Sequence, residues 1–288
     1  MSTVIDYKIK LINGIDIFYR ESGSPNKPTI FLLHGFPASS YQYREVLRIL
    51  DDEFHLIAPD YPGFGISEFP SATVFEYSFS NLGLIMDAFV QSFELKKYSL
   101  MIQDYGAPIG FRIATAHPEK ITSIINQNGN AYEEGLGKAW KGIKNLWQSN
   151  SEEARSSLLE AFTLDSIRWQ YTHGTRNPET INPDNCYLDY YRLCRPGAHK
   201  VNLDLFYDYR NNVKLYPEWQ DYLRNHHPPI LIVWGKNDAF FPEAGALAFK
   251  NDVKNIEYHF YDTGHFALEE DAEDICEKMR AFLRKVVK

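Results

Sequence analysis

Asp104 stands at the junction of a predicted strand and a predicted helix, where a carboxylate could do chemistry. An apolar run over 98–102 precedes it, and a helical pattern over 107–116 follows the Gly106 turn. At such a turn the carboxylate is held out of the sheet and in front of the helix N-terminus, whose backbone N–H groups favour the charged form. A charged carboxylate there could attack carbon and form an ester intermediate. The simpler alternative is a helix N-cap, a common position for aspartate.

Two further residues, Asp238 and His265, follow other apolar runs in a similar way. Asp238 comes shortly after the run over 230–234, and His265 comes shortly after the run over 256–260. A neutral histidine could take a proton from the water that cleaves an ester, and an aspartate could orient its ring and stabilise the imidazolium. Taken singly, a satisfied buried histidine and a turn aspartate are the simpler interpretations. Neither of them accounts for the ordered trio of Asp104, Asp238 and His265.

The elements that must bring this trio together alternate between strand and helix. Asn13-Gly14 between two alternating runs predicts an N-terminal antiparallel hairpin. The later runs are continuously apolar, as in a parallel sheet with helices on both faces, where ligands lie beyond the carboxyl ends of the strands. The predicted strands span 7–11, 15–19, 29–33, 54–58, 98–102, 121–126, 230–234 and 256–260. The predicted helices between them span 41–50, 77–93, 107–116, 243–249 and 275–287.

This alternation stops between Asn130 and about His227, where no buried apolar strand is predicted. The stretch holds helical patterns rich in Trp and Tyr, at 137–148, 152–162, 165–172, 185–193 and 204–211. We therefore expect an α/β core made of residues 1–129 and 228–288. Residues 130–227 are expected to form a helical cap, or lid, inserted over the strand ends.

Composition argues against several classes of partner and cofactor. The 288 residues carry a formal net charge of −8, which argues against nucleic acid and against an anionic membrane surface. No apolar run approaches the roughly 20 residues of a membrane span, and the first six residues show no basic-then-apolar leader. An odd number of cysteines, Cys186, Cys194 and Cys276, indicates free thiols in a reducing compartment. We expect a cytoplasmic protein, either a monomer or a homodimer.

A metal or nucleotide cofactor is not expected. The two adjacent histidines, His226 and His227, would point to opposite sides of an extended chain and so make a poor metal site. The chain contains neither a dinucleotide-binding fingerprint nor a phosphate-binding loop. The ester chemistry described above needs no cofactor.

Five segments at predicted strand ends form an ordered set. They are His34-Gly35-Phe36-Pro37, Asp60-Tyr61-Pro62-Gly63-Phe64-Gly65-Ile66-Ser67, Gln103-Asp104-Tyr105-Gly106, Gly235-Lys236-Asn237-Asp238 and Gly264-His265-Phe266. Together they resemble the α/β-hydrolase superfamily over nearly the whole chain, and most closely its branch with an aspartate nucleophile, which holds epoxide hydrolases and haloalkane dehalogenases. The resemblance implies nucleophile, acid and histidine roles for Asp104, Asp238 and His265. It also implies an oxyanion hole made by the backbone N–H groups of Phe36 and Tyr105.

The residues beside Asp104 depart from the family pattern. No G-x-S-x-G motif occurs, Ile102 stands where that motif has its first glycine, and Gln103 stands where the aspartate-nucleophile families often have histidine. We expect these differences to alter the packing of the turn rather than the reacting atoms. His34 is interpreted as a structural residue of the preceding loop.

The same resemblance bears on the leaving group. Haloalkane dehalogenases typically place Trp and Asn donors where this chain has Tyr105 and Phe36, and fluoroacetate dehalogenases place arginines where it has Tyr105 and Pro108. An epoxide needs an acid for its ring oxygen, and epoxide hydrolases use cap tyrosines, whose phenol stays protonated at neutral pH. The implied candidates for proton donation or substrate binding are Tyr171, Tyr207 and Tyr209, whereas Trp169 could bind a halide.

The sequence therefore predicts a two-step hydrolase that converts an apolar epoxide into a diol through an ester on Asp104. Its partners would be a small apolar organic substrate and water. The alternative substrate is a haloalkane, which would give an alcohol and a halide. A ligand-binding protein on the same fold is a third hypothesis, although such a protein would not need the trio.

Overall fold

The computed structural model describes residues 4–287, and its strands form one sheet. Residues 1–3, on which the expected absence of a leader partly depends, lie outside the described residues. The strands are β1 Ile5–Ile12, β2 Ile15–Ser22, β3 Thr29–Leu33, β4 His55–Pro59, β5 Tyr98–Gln103, β6 Ile121–Gln127, β7 Ile230–Gly235 and β8 Ile256–Tyr261. Across the part of the chain that is described, the strand order is β1-β2-β4-β3-β5-β6-β7-β8.

The sheet is antiparallel at its N-terminal edge and parallel elsewhere. Strand β2 runs antiparallel to both β1 and β4, whereas the pairs from β4-β3 to β7-β8 are parallel. The hairpin turn has φ of 50° at Asn13 and 83° at Gly14, both in the left-handed region that a two-residue turn of this kind requires. The predicted α/β-hydrolase fold, with a mostly parallel sheet and an N-terminal hairpin, is confirmed.

Helices cover both faces of the sheet. In β3, Phe31 and Leu33 enter one apolar cluster while Ile30 and Leu32 enter the other, because successive side chains of a strand point to opposite faces. Burial on both faces explains why the strands read as continuous apolar runs. The helices are α1 Arg44–Ile49, α2 Phe79–Gln91, α3 Gly106–Ala116, α4 Lys141–Ser149, α5 Glu152–Ser156, α6 Leu164–Thr172, α7 Pro183–Leu193, α8 Ala198–His226, α9 Glu243–Ala248 and α10 Leu268–Val286.

The chain between β6 and β7 holds helices α4 to α8 and, among the residues described, no strand. Aromatic rings of α8 contact rings at the carboxyl end of the sheet. The Phe206 ring centroid lies 5.1 Å from that of Phe36, and the Tyr209 centroid lies 6.3 Å from that of Tyr105. These helices therefore cover the strand ends where Asp104 lies. Among residues 4–287, no helix is long and apolar enough to cross a membrane.

Helix α8 is much longer than the predicted helix over 204–211. It spans 29 residues and continues through Pro217, a residue that normally ends or kinks a helix. Pro217 is exposed, so water can bond the Val213 carbonyl that lacks a helical partner. Buried Tyr216 and Trp219 on the other side anchor the helix to the core.

Among the other helices, α10 and α5 differ most from their predicted bounds. Helix α10 begins at Leu268 rather than at 275, because it includes a first turn that is interrupted by non-helical Asp271. The helix predicted over 152–162 ends at Ser156, and a short 3-10 turn at Leu159–Phe162 follows it. Neither difference moves a residue of the predicted trio.

Candidate active site

Asp104 occupies a sharp turn between β5 and α3. Its backbone has φ of 47°, in the left-handed region that non-glycine residues rarely adopt and that is found at functional sites. The turn is possible because Gly106 has no side chain: a Cβ on it would lie 2.0 Å from the Leu33 carbonyl oxygen. Gly35 approaches equally closely, since a Cβ there would lie 2.4 Å from the Asp104 Cβ. The sequence thus forces the carboxylate outward at the end of the sheet.

Backbone donors meet the Asp104 carboxylate where the sequence predicted an oxyanion hole. The Phe36 N–H donates to Asp104 Oδ1 over 2.6 Å, and the Tyr105 N–H also bonds the carboxylate. Burial raises the pKa of the Asp104 carboxyl, while His265 and the two backbone donors oppose that rise by favouring the charged form. When water attacks an ester on Asp104, the same donors could stabilise the negative charge that develops on the Asp104 carboxyl oxygen.

The structure brings Asp238 and His265 together beside Asp104. His265 Nδ1 lies 2.7 Å from Asp238 Oδ2, and both side chains are buried. Burial alone would lower the pKa of His265, but the charge and hydrogen bond of Asp238 outweigh it, and the pKa is raised above its ordinary value of 6.5. An Asp–His pair in this geometry can orient the ring and stabilise the imidazolium.

Asp238 is itself held by two donors. The Phe240 N–H donates to Asp238 Oδ1 over 2.7 Å, and the Asn128 side-chain amide donates to Asp238 Oδ2 over 2.8 Å. Asn128 also accepts from the Gly235 N–H over 2.9 Å, which ties the end of β6 to the end of β7. Asn128 follows the predicted strand over 121–126, so its position indicates that it lies near the site. Its residue type does not indicate that it holds Asp238.

Gln103 contacts the reactive side of His265, contrary to the expectation that this position affects only packing. Its Nε2 lies 2.8 Å from His265 Nε2, the ring nitrogen that faces away from Asp238. Gln103 is the last residue of β5, and its side chain is fully buried. The pleat of β5 turns the Gln103 side chain towards the loop that bears His265. This direction depends on the folded sheet, so the sequence alone does not reveal the contact.

A mostly apolar cavity of about 250 Å³ adjoins Asp104 and His265. This volume is close to the lower end of typical small-molecule sites, about 300–1,000 Å³, and indicates a small ligand. A larger open groove of about 700 Å³ beside α10 contains none of the trio. The cavity is lined by Phe36, Asp104, Tyr105, Ala139, Trp140, Ile143, Leu158, Ala161, Ser166, Trp169, Gln170, Phe206, Tyr209, Phe240 and His265.

Two of the predicted tyrosines are absent from the cavity lining. The Tyr171 ring stacks on Phe266 with centroids 4.0 Å apart, and its hydroxyl donates to Asp189 Oδ2 over 2.7 Å. The Tyr207 ring is half-buried under the Arg210 guanidinium, 3.3 Å from the ring centroid. These contacts direct both rings elsewhere, so the expectation that they face Asp104 is corrected.

Tyr209 and Trp169 do line the cavity. The Tyr209 hydroxyl lies 3.5 Å from the Tyr216 hydroxyl, at the outer limit for a hydrogen bond, and burial raises its pKa well above 10.0. The Trp169 indole N–H has no acceptor within residues 4–287, whereas the Trp140 N–H is used by the Phe240 carbonyl over 3.0 Å. Tyr209 therefore offers a protonated phenol, and Trp169 offers a free N–H.

His34 contacts the loop that follows β4. Its ring stacks on Tyr61 with centroids 3.9 Å apart, and its Nε2 accepts from the Tyr61 N–H over 3.3 Å. Burial lowers the pKa of His34 to about 4, so the ring is neutral at neutral pH. Across the described chain, no group of three or more His, Cys, Asp or Glu side chains is arranged to hold a metal ion.

The chain is similar to known hydrolases. Residues 28–272 match the family described as alpha/beta hydrolase fold. An uncharacterised hydrolase of Saccharomyces cerevisiae is 41% identical over 285 residues, which cover 97% of this chain and 98% of that protein.

Two relatives whose names state an activity match a smaller share of the chain, and at lower identity, than the yeast hydrolase does. Haloalkane dehalogenase 2 of Mycobacterium tuberculosis is 36% identical over 193 residues, which cover 63% of this chain and 59% of that protein. Epoxide hydrolase 2 of Caenorhabditis elegans is 25% identical over 257 residues, which cover 84% of this chain and 69% of that protein. The relatives thus include one enzyme of each of the two kinds considered from the sequence, a haloalkane dehalogenase and an epoxide hydrolase.

Proposed function

The chain belongs to the alpha/beta hydrolase fold family, and we propose that it hydrolyses small apolar epoxides to diols through an ester on Asp104. The observation that carries the proposal is that Asp104, His265 and Tyr209 line the same apolar cavity. The helices between β6 and β7 act in this proposal as a cap that supplies the phenol and separates the cavity from bulk solvent. The similarity to an epoxide hydrolase over most of the chain supports it.

In the first step, an Asp104 carboxylate oxygen attacks a ring carbon of the epoxide, and the bond from that carbon to the ring oxygen breaks. The ring oxygen leaves as an alkoxide that takes the phenol proton of Tyr209. A phenol is suited to this step because it stays protonated at neutral pH, and burial raises the Tyr209 pKa further. The product of the step is a hydroxyalkyl ester and a phenolate.

In the second step, water attacks the ester carbonyl carbon while His265 Nε2 takes one of its protons. The resulting oxyanion lies where the N–H groups of Phe36 and Tyr105 meet the carboxylate. Collapse of this intermediate breaks the bond to the alkyl oxygen, which takes the second proton of the water from the new hydroxyl and leaves as the diol, and the Asp104 carboxylate is regenerated. The imidazolium proton returns through solvent to the Tyr209 phenolate, so the sum is epoxide plus water giving diol.

Haloalkane dehalogenation is the second candidate function, and one observation favours it. Trp169 lines the cavity, and its indole N–H has no protein acceptor in the described part of the chain, so this N–H could bind a departing halide. The similarity to a haloalkane dehalogenase adds support. Against it, the other nearby indole N–H, on Trp140, is already bonded to the Phe240 carbonyl. A halide leaving group would thus have one donor from this wall of the cavity, and it needs no proton.

Product analysis distinguishes the two candidates. The protein is incubated separately with styrene oxide and with 1,2-dibromoethane, and diol and bromide are measured. We expect diol formation at least 100-fold above the rate with the Asp104→Asn variant, which keeps a residue suited to the left-handed turn. Bromide without diol would instead favour the dehalogenase. The absence of both products would favour the ligand-binding alternative.

A further inference from the structure

Gln103 lies between the histidine and the loop that bears Phe36. In the neutral ring, whose Nδ1–H bonds Asp238, Nε2 carries the lone pair, and the Gln103 amide N–H lies 2.8 Å away and can donate to it. The other end of the amide packs against Gly35, on which a Cβ would lie 2.1 Å from Gln103 Oε1. Within residues 4–287 that oxygen has no hydrogen-bond partner.

This contact occupies the atom that the proposed second step requires. The titratable groups that face the His265 ring are Asp238 and Asp104, and both favour the imidazolium, which cannot accept a proton. The other rings around it, on Phe240, Phe241 and Phe266, are apolar. A hydrogen bond donated to Nε2 acts in the opposite direction, because only the neutral ring has a lone pair there. Among these neighbours, Gln103 is therefore the group that stabilises the neutral ring.

We propose, on the premise of the ester mechanism above, that Gln103 is a positioning residue that keeps His265 neutral, with its base nitrogen occupied, until the hydrolytic water displaces the amide. Water then takes the place of the amide N–H and gives its proton to Nε2 as its oxygen bonds the ester carbonyl carbon. The carbonyl electron pair moves to the oxyanion. Gln103 thus acts on ester hydrolysis and not on ester formation.

The variants Gln103→Met and Gln103→Glu test this role in the full-length protein. Removing the donor in Q103M destabilises the neutral ring, so the pKa of His265 should rise. The acidic limb of the pH profile of kcat should therefore move to higher pH by about one unit. In Q103E a carboxylate faces Nε2 and favours the imidazolium, so we expect a shift of about two units in the same direction. Ester formation in a single turnover should stay within about twofold of the parent rate.

Gln127 provides a matched control. It pairs with Gln103 in the β5-β6 register, is equally buried, and its amide donates to the His265 backbone carbonyl over 2.9 Å rather than to the ring. Gln127→Met therefore loses a buried hydrogen bond without changing the environment of Nε2. We expect it to lower the melting temperature while the acid limb stays at the pH of the parent limb. If Q103M does not fold, the nearly isosteric Q103E carries the test.

An NMR titration of the His265 imidazole, assigned by its loss in His265→Gln, gives a readout that does not depend on turnover. An upward shift of this titration in Q103M and Q103E, together with the shifted acid limb, supports the role. An unshifted titration overturns it and leaves Gln103 as a packing residue. If the titration shifts but no variant forms an ester, the function proposed above fails, and the effect of Gln103 on the imidazole stands apart from it.

Discussion

At the scale of single residues, Asp104 and His265 must hold different protonation states in the same buried place. The proposed mechanism needs Asp104 ionised and His265 neutral, yet burial raises the pKa of the first and Asp238 raises that of the second. The backbone donors of Phe36 and Tyr105 favour the required state of the carboxylate. The amide of Gln103 favours the required state of the ring.

The order of the two steps gives a prediction for His265→Gln. Ester formation needs only Asp104 and the proton donor, whereas hydrolysis needs a base, so the variant should stop at the ester. We expect hydrolysis to fall by about three orders of magnitude, with the intact-protein mass increased by one molecule of styrene oxide. Mass spectrometry after brief incubation measures the adduct. The double variant with Asp104→Asn is the control, and an adduct of equal yield in it would place the covalent bond elsewhere.

The proximity of the trio could be predicted from the sequence, but the sequence could not show which of the three candidate tyrosines lines the cavity. Asp104, Asp238 and His265 follow apolar runs, and parallel strands place all such ends at one edge of a sheet. The direction of a tyrosine depends on the rotation of its helix within the folded molecule. Tyr171 is directed by a ring on Phe266 and a carboxyl on Asp189, and neither contact can be inferred from spacing along the chain.

At the scale of elements, the site depends on how closely α3 approaches β3. Gly106 is the first residue of α3, and its Cα faces the Leu33 carbonyl of β3 so closely that no Cβ fits. Moving the helix away would displace Asp104 from the donors on the loop that follows β3. The glycine therefore couples strand packing to the position of the carboxylate.

Gly106→Ala tests this coupling. The added Cβ would lie 2.0 Å from backbone, which cannot yield as a flexible side chain can. We expect the free energy of unfolding to fall by about 3 kcal/mol, as for overpacking against rigid neighbours, and activity to fall with it. Urea unfolding measures the change.

Gly142→Ala in α4 is the matched control for that substitution. Its added Cβ would meet only the end of the flexible Leu158 side chain. Alanine favours a helix, so we expect a gain of about 0.5 kcal/mol in the free energy of unfolding. Equal losses in both variants would show that the contact with Leu33 has no special importance.

The bounds of the elements show which parts of the fold the sequence could specify. The apolar core strands were predicted to within a residue or two because burial on both faces leaves a continuous run. The predicted helix over 204–211 covers only part of α8, which extends in both directions and continues through Pro217, a residue that normally ends or kinks a helix. The helix continues because its buried side chains, such as Trp219, anchor it to the core, and such tertiary contacts leave no local signal.

At the scale of the whole molecule, a buried polar cluster joins the helices of 130–227 to the core. Glu269 at the start of α10 accepts two bonds from Arg44 of α1, over 3.0 and 2.6 Å, and one from Asn185 of α7 over 2.7 Å. Asp189 of α7 lies in the same region and accepts from Tyr171 of α6. The position of the α6-α7 pair over the cavity thus depends on polar contacts as well as on aromatic packing.

Asp189 gives this junction a pH dependence whose sign can be worked out. Burial raises the pKa of Asp189 well above 3.8. Glu269 and Asp60 raise it further, while the Tyr171 hydrogen bond and Arg192 oppose the rise. The folded state therefore holds a proton on Asp189 at pH values where the unfolded chain has lost it. Stability from this group is complete below about pH 4 and declines as pH rises towards the raised pKa, by about 1.4 kcal/mol per pH unit.

Asp189→Asn removes this proton while keeping an oxygen that can accept from Tyr171. The unfolding free energy of the variant, relative to that of the parent, should therefore rise between pH 5 and pH 6, by at most about 1.4 kcal/mol. Urea unfolding at the two pH values measures it, with Asp165→Asn at an exposed site on α6 as the control that should show no such rise. A difference between variant and parent that is the same at both pH values would mean that Asp189 is already ionised in the folded protein. The junction would then hold a buried negative charge beside Glu269, and Arg192 would have to be the cation that balances it.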